Sequence, residues 1–445
     1  MMCIRPSQES RVRVEGAPLS EAEAHPLQAS LGRPAKLRCL RRQGGGARLL
    51  ALVAALFIAT APAHADSFSE FIHAFEPTAV AAGVSATVYE LSTKGLTPDP
   101  SIADLVETQP EFTTPIWSYL DARVSEKRVA SGMKAMDASR ALFAAIGKRF
   151  GVDPYLLGAI WGIETSYGAV LDNPKFIKPI VRSLATLVYQ HRGRYELDKE
   201  DFIAALKLVQ RGPLDATHLK GSWAGAIGHL QVNPTNVVKH GTDGDGDGKI
   251  DLQDSLADAL ATSAKFLLDL GYVPGVDWGY EVNVPKGFDW LLADRTAMRP
   301  IAFFKALGLG RANGKDFPRT DVPVFLYAPA GATGPAFLMT GNYLVLKGYN
   351  FSDSYAMAVA HLCDRLKGAG EFATRWPREV KLPNLGQRIA IQSALAKLGF
   401  YVGPADGRLG PLTSVAYAKF QASRGEVADG FITAAAFDEL SAAAQ

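Results

Sequence analysis

Glu164 is the residue whose setting most clearly suggests chemistry. It sits in Asp153-Pro154-Tyr155-Leu156-Leu157-Gly158-Ala159-Ile160-Trp161-Gly162-Ile163-Glu164-Thr165-Ser166-Tyr167-Gly168. Asp153 is suited to cap a helix, Pro154 to open it and Gly168 to end it. Leu157, Ile160, Trp161 and Glu164 then fall at i, i+3, i+4 and i+7, so the carboxyl group lies on the apolar stripe. A charge is excluded from such a stripe unless it borders a cleft. Burial there is expected to raise the carboxyl pKa, and a glutamic acid that keeps its proton near neutral pH can protonate a leaving glycosidic oxygen. The competing reading is a glutamate near a helix end that swings out to water, which is what most glutamates do.

A second cluster is metal-ligand-like. Asp243, Asp245, Asp247, Gly248 and Asp251 occupy positions 1, 3, 5, 6 and 9 of an EF-hand loop, and Lys249 supplies a backbone carbonyl at position 7. Asp254 stands at position 12, one methylene shorter than the usual glutamate, which favours single-oxygen binding. Five carboxylates within twelve residues repel one another unless a cation sits among them, so the loop predicts structural Ca2+, with sodium or magnesium as alternatives. Ser255 onward, with Leu256, Leu260 and Leu267, reads as the exit helix. The predicted ion carries no catalytic role, and no catalytic cofactor is expected.

The elements around these residues follow from length and pattern. The chain has 445 residues, 48% of them apolar, enough for two or three domains. The run 49–60 is apolar and uncharged, follows Arg38, Arg41, Arg42 and Arg48, and precedes Ala63-His64-Ala65. That is the pattern of a signal peptide ending at residue 65 and too short to span a bilayer. The stretch before it, roughly the first 35 residues, is too long for an ordinary basic leader and reads as an overextended start. Cleavage would remove 9 of 47 basic and 4 of 45 acidic side chains; the remaining 38 against 41 give a net charge near −3, which argues against nucleic acid. Cys3 and Cys39 would leave with the leader, so Cys363 remains alone, on an apolar helical face, with no internal disulfide. No Cys follows the apolar run to serve as a lipid anchor, and the expected destination is the periplasm, with no transmembrane segment in the mature chain.

Residues 66–375 read as short helical periods broken by Gly, Pro and Asp, a mainly α region. Pro377 and Pro383 interrupt the pattern, so 376–385 is expected to be a linker implying independence of the 386–445 tail. Within the tail, Asp406-Gly407 and Asp429-Gly430 recur 23 residues apart, a weak internal duplication.

Four motifs, in order, carry a family resemblance: Glu164-Thr-Ser-Tyr-Gly168; Gly221-Ser222-Trp223 through Gly228 and Gln231 to Pro234; Asp245-Gly-Asp247-Gly248; and Tyr349-Asn350-Phe-Ser352-Asp-Ser-Tyr355. With Gln109-Pro-Glu-Phe112 upstream, they resemble the membrane-bound lytic transglycosylase B family from about residue 68 to 366. The resemblance implies a goose-type-lysozyme-like core, a catalytic acid at Glu164, and glycan-cleft roles for Ser222, Gln231, Tyr349 and Asn350. Arg192, in His-Arg-Gly-Arg-Tyr, looks like a basic muropeptide contact of that family. Neutral Ser, Gln, Asn and Tyr side chains suit hydroxyl and N-acetyl groups. Two positions depart from the pattern: Val232-Asn233 replaces Phe-Met, and Ser166 replaces Asn.

The family implies a single-glutamate reaction in which the MurNAc-GlcNAc bond of peptidoglycan closes to a 1,6-anhydro end without water. The expected partner is the glycan strand, with cell-wall enzyme complexes left open. A hydrolytic goose-type lysozyme and a non-catalytic wall-binding scaffold are the alternatives. The tail resembles the peptidoglycan-binding domain type 1 family over about 386–440, as a small three-helix domain, although its second half lacks the expected Gly-Pro-x-Thr.

Overall fold

The computed structural model describes residues 67–102, 114–191, 194–212 and 215–445. The expected signal peptide and the 109–112 motif lie outside the described residues. Helices dominate, and the Glu164 helix, Pro154–Thr165, opens as its sequence dictates: Asp153 accepts from the Tyr155 amide at 2.9 Å and Pro154 fills the first turn. It is not amphipathic, however. Nine of its twelve residues are buried, because other helices surround it and its apolar residues point in every direction. Its glycines permit this crowding: a Cβ on Gly158 would meet the Met136 sulfur at 2.4 Å. The helix stops earlier than expected, at Thr165, with Ser166 and Tyr167 already left-handed before Gly168.

Against it packs Asp353–Leu366, whose Ala356, Met357, Ala358, Val359 and Ala360 are wholly buried. Cys363 is buried in the same helix as a free thiol, as its spacing suggests. Among the described residues no helix is long and apolar enough to cross a membrane.

A five-stranded antiparallel sheet, absent from the sequence reading, lies between the acidic loop and the last core helices. Its strands are β1 (Gly279–Asn283), β2 (Arg299–Pro300), β3 (Gly310–Arg311), β4 (Pro323–Tyr327) and β5 (Ala336–Thr340), in the order β2-β4-β5-β1-β3. Phe325, Phe337 and Met339 face the helical core, while Val324, Leu326, Ala336 and Leu338 face a second cluster with Ile301 and Phe304. Both faces are covered, so the strands read as continuous apolar runs without the polar alternation that marks a half-exposed sheet.

The tail forms the three expected helices, Leu385–Lys397, Pro411–Ser423 and Ala434–Ala443, around Ile391, Leu395, Tyr417, Phe420 and Leu440. Its duplication is structural. Gln392 accepts from the Gly407 amide at 2.7 Å and donates to Asp406 at 3.2 Å; Gln421 does the same for Gly430 at 2.8 Å and Asp429 at 3.2 Å. Both glycines are left-handed.

The segment 376–385 differs from a free linker. Trp376 packs on Trp117 and Phe337 with ring centroids 6.2 and 6.5 Å away, and Arg378 holds Asp121 with both terminal nitrogens. The Ala434 amide donates to the Lys381 carbonyl at 2.9 Å, and the Ala332 amide of the core donates to the Asp429 carboxylate of the tail at 2.8 Å. The prolines do interrupt the helix, but aromatic burial fastens the segment to the core. Truncation after residue 384 is therefore expected to lower the melting temperature of the remaining core, by about 2–4 °C for each kcal/mol of docking lost. Calorimetry checks this; a core transition unmoved by truncation would mark the tail as independent.

Candidate active site

Glu164 lies in the last turn of its helix, half-buried among fully buried neighbours. The Tyr355 hydroxyl donates to Glu164 Oε1 at 2.6 Å. Tyr349 lies nearly parallel to Tyr355, 9° between planes and 6.3 Å between centroids. Burial first, and then the Glu164 charge, pushes the Tyr355 and Tyr349 hydroxyls well above the ordinary phenol range. Both phenols therefore keep their protons and act as donors. A hydrogen bond of this charge-assisted kind contributes about 1.5–3 kcal/mol and fixes the carboxylate's position.

The second motif folds into a compact turn. Gly221 pairs with Ile227, and Ile227 with Val232, as isolated bridges. The Ser222 amide donates to the Ala226 carbonyl at 2.8 Å, and the Ala226 amide returns a bond to Ser222 Oγ at 3.1 Å. Only glycine fits at two positions: a Cβ on Gly221 would lie 2.1 Å from the Ala226 oxygen, and one on Gly228, at φ +69°, 1.9 Å from the Leu252 oxygen. Gln231 is also left-handed, and its Nε2 donates to the Gly228 carbonyl at 2.8 Å. Val232 is buried in the core and Asn233 precedes the helix Pro234–His240, so this departure from the family pattern falls partly on the protein side of the turn.

Residues 228–231 touch the other motifs. Thr165 Oγ1 donates to the His229 carbonyl at 2.7 Å, and the Trp161 indole donates to His229 Nδ1 at 3.1 Å. Tyr349 donates to the Leu230 carbonyl at 2.9 Å and lies 3.1 Å from Ser263 Oγ. The His229 amide donates to the Leu252 carbonyl of the acidic loop at 3.0 Å.

In the acidic loop, carboxylate oxygens of Asp243, Asp245 and Asp258 lie within 4.8 Å of one another. Asp258, in the first turn of Leu256–Asp269, is buried and accepts from the Gly244 and Asp251 amides at 2.7 Å each. Burial raises its pKa, backbone donors oppose this, and the Asp245 and Asp243 charges raise it further. Asp247, Lys249, Asp251 and Asp254 lie outside this close group; the Asp251 carboxylate accepts from the Gln253 and Asp254 amides at 2.9 and 3.0 Å.

The structure thus brings Glu164 and Tyr349 together and fixes Ser222 and Gln231 in the adjoining loop. Asn350 ends the helix Gly341–Asn350, half-buried, and Arg192 lies outside the described residues. Sequence reasoning assigned no role to Tyr355, although it stands in the fourth motif, nor to His229. Asp258 had no signal in the loop spacing, since it follows position 12 by four residues. Ser166, in place of Asn, accepts from Arg128 Nη2 at 3.2 Å.

A transglycosylase SLT domain model matches residues 67–364, and a peptidoglycan binding domain model matches 385–440. The chain is 37% identical to SltB3 of Pseudomonas aeruginosa, solved in complex with NAG-anhNAM-pentapeptide; the match covers 84% of this chain and all of that one, with a TM-score of 0.78. Slt35 of Escherichia coli, solved in complex with calcium, shares the fold at 22% identity and a TM-score of 0.55, over 67% of this chain and 92% of that one. Membrane-bound lytic murein transglycosylase B of Escherichia coli is 28% identical over 225 residues, 48% of this chain; the match spans 56% of that relative's length. With the motifs converging on Glu164 and the transglycosylase domain matched over most of its length, the chain belongs to the SLT transglycosylase family, enzymes that act on glycosidic bonds of peptidoglycan.

Proposed function

We propose that this protein is a lytic transglycosylase that cleaves the β-1,4 bond between MurNAc and GlcNAc and leaves a 1,6-anhydro-MurNAc end. The observation that carries the reading is the half-buried Glu164 carboxyl, held by the Tyr355 hydroxyl at the rim of a buried helix. Glu164 gives its proton to the leaving O4 of GlcNAc as the C1–O4 bond breaks. The substrate's own N-acetyl group stabilises the positive charge at C1. The same carboxylate then takes the proton from the C6 hydroxyl as O6 bonds to C1, which returns Glu164 to its starting state with no water consumed. One carboxyl group suffices because acid and base steps are sequential, whereas most hydrolytic glycosidases divide them between two. Ser222, Gln231, Tyr349 and Asn350 are assigned to the glycan cleft, and Arg192 to the muropeptide. The ends of the chain are read as a leader, residues 1–65, directing export to the periplasm, and a wall-binding tail.

The acidic loop is read as a structural Ca2+ site. Three carboxylates within 4.8 Å, one of them buried with a raised pKa, repel one another, and a divalent cation bound by oxygen ligands relieves that repulsion. The ligand set favoured by this geometry is Asp243 and Asp245 from the loop with Asp258 from the exit helix; Asp247, Lys249, Asp251 and Asp254 are the remaining candidates. The fold relative Slt35, solved with calcium, is consistent with this. The ion's role is to hold the loop against the 228–231 turn.

Glu164→Gln, nearly isosteric but without the titrating proton, is expected to abolish digestion of sacculi at an unchanged melting temperature. Mass spectrometry of wild-type products decides the reaction: an anhydro end is lighter by one water than the reducing end a lysozyme leaves. Tyr355→Phe is expected to lower kcat by about ten-fold, the lower bound for losing one charge-assisted hydrogen bond. For the loop, calcium at 100 times its Kd should stabilise the protein by about 2.7 kcal/mol. Asp245→Ala and Asp258→Asn should each remove that increment in a thermal melt, and a melt insensitive to chelator would refute the site.

A further inference from the structure

Between the helical core and the tail lies a cavity of about 290 Å³, away from the Glu164 cleft. That is room for several waters or for a short piece of peptide. Arg295, Asp353 and Ser354 line it from the core; Arg388, Ser414 and Asp429 line it from the tail.

Its two arginines and two aspartates differ in how far they are satisfied. Asp353 is saturated: Arg295 donates to it at 2.7 Å, Lys347 at 3.0 Å and Tyr343 at 3.0 Å. Burial works against the ionised form, but Arg295 and Lys347 hold its pKa below the usual carboxylate range. Asp429 is saturated as well, by the Ala332 and Phe431 amides at 2.8 and 3.0 Å and by Gln421 at 3.2 Å. Arg388 has no such partner. Its Nε is buried without a hydrogen bond, and so is that of Arg295, whose side chain is only 11% exposed. Among the described residues Arg388 is the charged group on the cavity wall whose side chain has no hydrogen-bonded partner.

Two helices begin with wall residues, Ile116 and Asp353, and a helix N-terminus favours a negatively charged ligand. A neutral sugar would leave the sheltered guanidinium unpaired, whereas a carboxylate offers the planar, two-oxygen acceptor that a guanidinium fork matches.

We infer that the cavity between core and tail is a second substrate subsite, which takes a carboxylate-bearing peptide through Arg388. The inference rests on the reading of the substrate as peptidoglycan, whose glycan carries short acidic peptide arms. Such a subsite holds the peptide while the glycan occupies the cleft. It also requires both domains at once, because Arg388 belongs to the tail and Arg295 to the core.

Isothermal titration of the full chain tests this. The probe is a synthetic tetrapeptide with two free carboxylates, compared with its doubly amidated form and with inorganic phosphate. The acidic peptide is expected to bind, and amidation and Arg388→Gln are each expected to weaken it by about ten-fold or more, as loss of one charged hydrogen-bonding partner does. Arg388→Gln should melt like wild type, since the guanidinium gives up no partner, and Arg388→Lys should retain part of the binding. Absent binding, equal binding of the amidated peptide, or no loss in Arg388→Gln would overturn the inference. Phosphate binding as tight as the peptide would replace it with a bare anion site. Formation of anhydro ends by the wild type is read separately, so the subsite can fail while the reaction stands, and the reverse.

Discussion

The turn at 228–231 is the constraint on which the rest of the site depends. It is four residues long, yet its backbone accepts from the Glu164 helix through Thr165 and from Tyr349, and it donates to the acidic loop. A backbone that serves three neighbours cannot move for one without moving for all. Gly228 makes the approach possible, since any side chain would collide with the Leu252 carbonyl, and the left-handed Gln231 closes the turn upon itself. Its tightness explains how a motif of neutral, small residues can organise a charged centre. The charge sits on Glu164, and the turn sets where Glu164 can be.

Burial does the complementary work. The Glu164 helix is enclosed by helices on all sides, so its last turn has little freedom, and the Tyr355 hydroxyl removes what is left on one carboxylate oxygen. Tyr355 is held in turn by Asp353–Leu366, whose small, fully buried residues allow close packing. Packing of the helix and the Tyr355 hydroxyl together position the Glu164 side chain.

The helices, their caps and the half-buried setting of Glu164 were legible in the sequence because each is written locally: Asp153 and Pro154 open a helix, and Glu164 interrupts an apolar run. The reason inferred for Glu164, a single apolar stripe, was only half right, since periodicity cannot distinguish one covered face from full enclosure. The sheet escaped because β4 and β5 are covered on both faces and lack alternation. Asp258 escaped because its meeting with Asp243 and Asp245 depends on how the exit helix folds back on the loop. Tyr355 was in view but without a task, for its partner lies 191 residues away. The attachment of 376–385 was hidden for the same reason: Trp376 reads as one aromatic among prolines until Trp117 and Phe337 are placed beside it.

The two glutamine clamps of the tail are near copies, but they face different company. Asp406 of the first is exposed, whereas Asp429 of the second accepts from the Ala332 amide of the core. A module with two equivalent ends could in principle bridge two strands of a polymer. Here one end is already occupied by its own chain, which leaves the tail single-handed. The sequence drift in the second half, where Gly-Pro-x-Thr is missing, then reads as the mark of a surface whose neighbour became the protein itself.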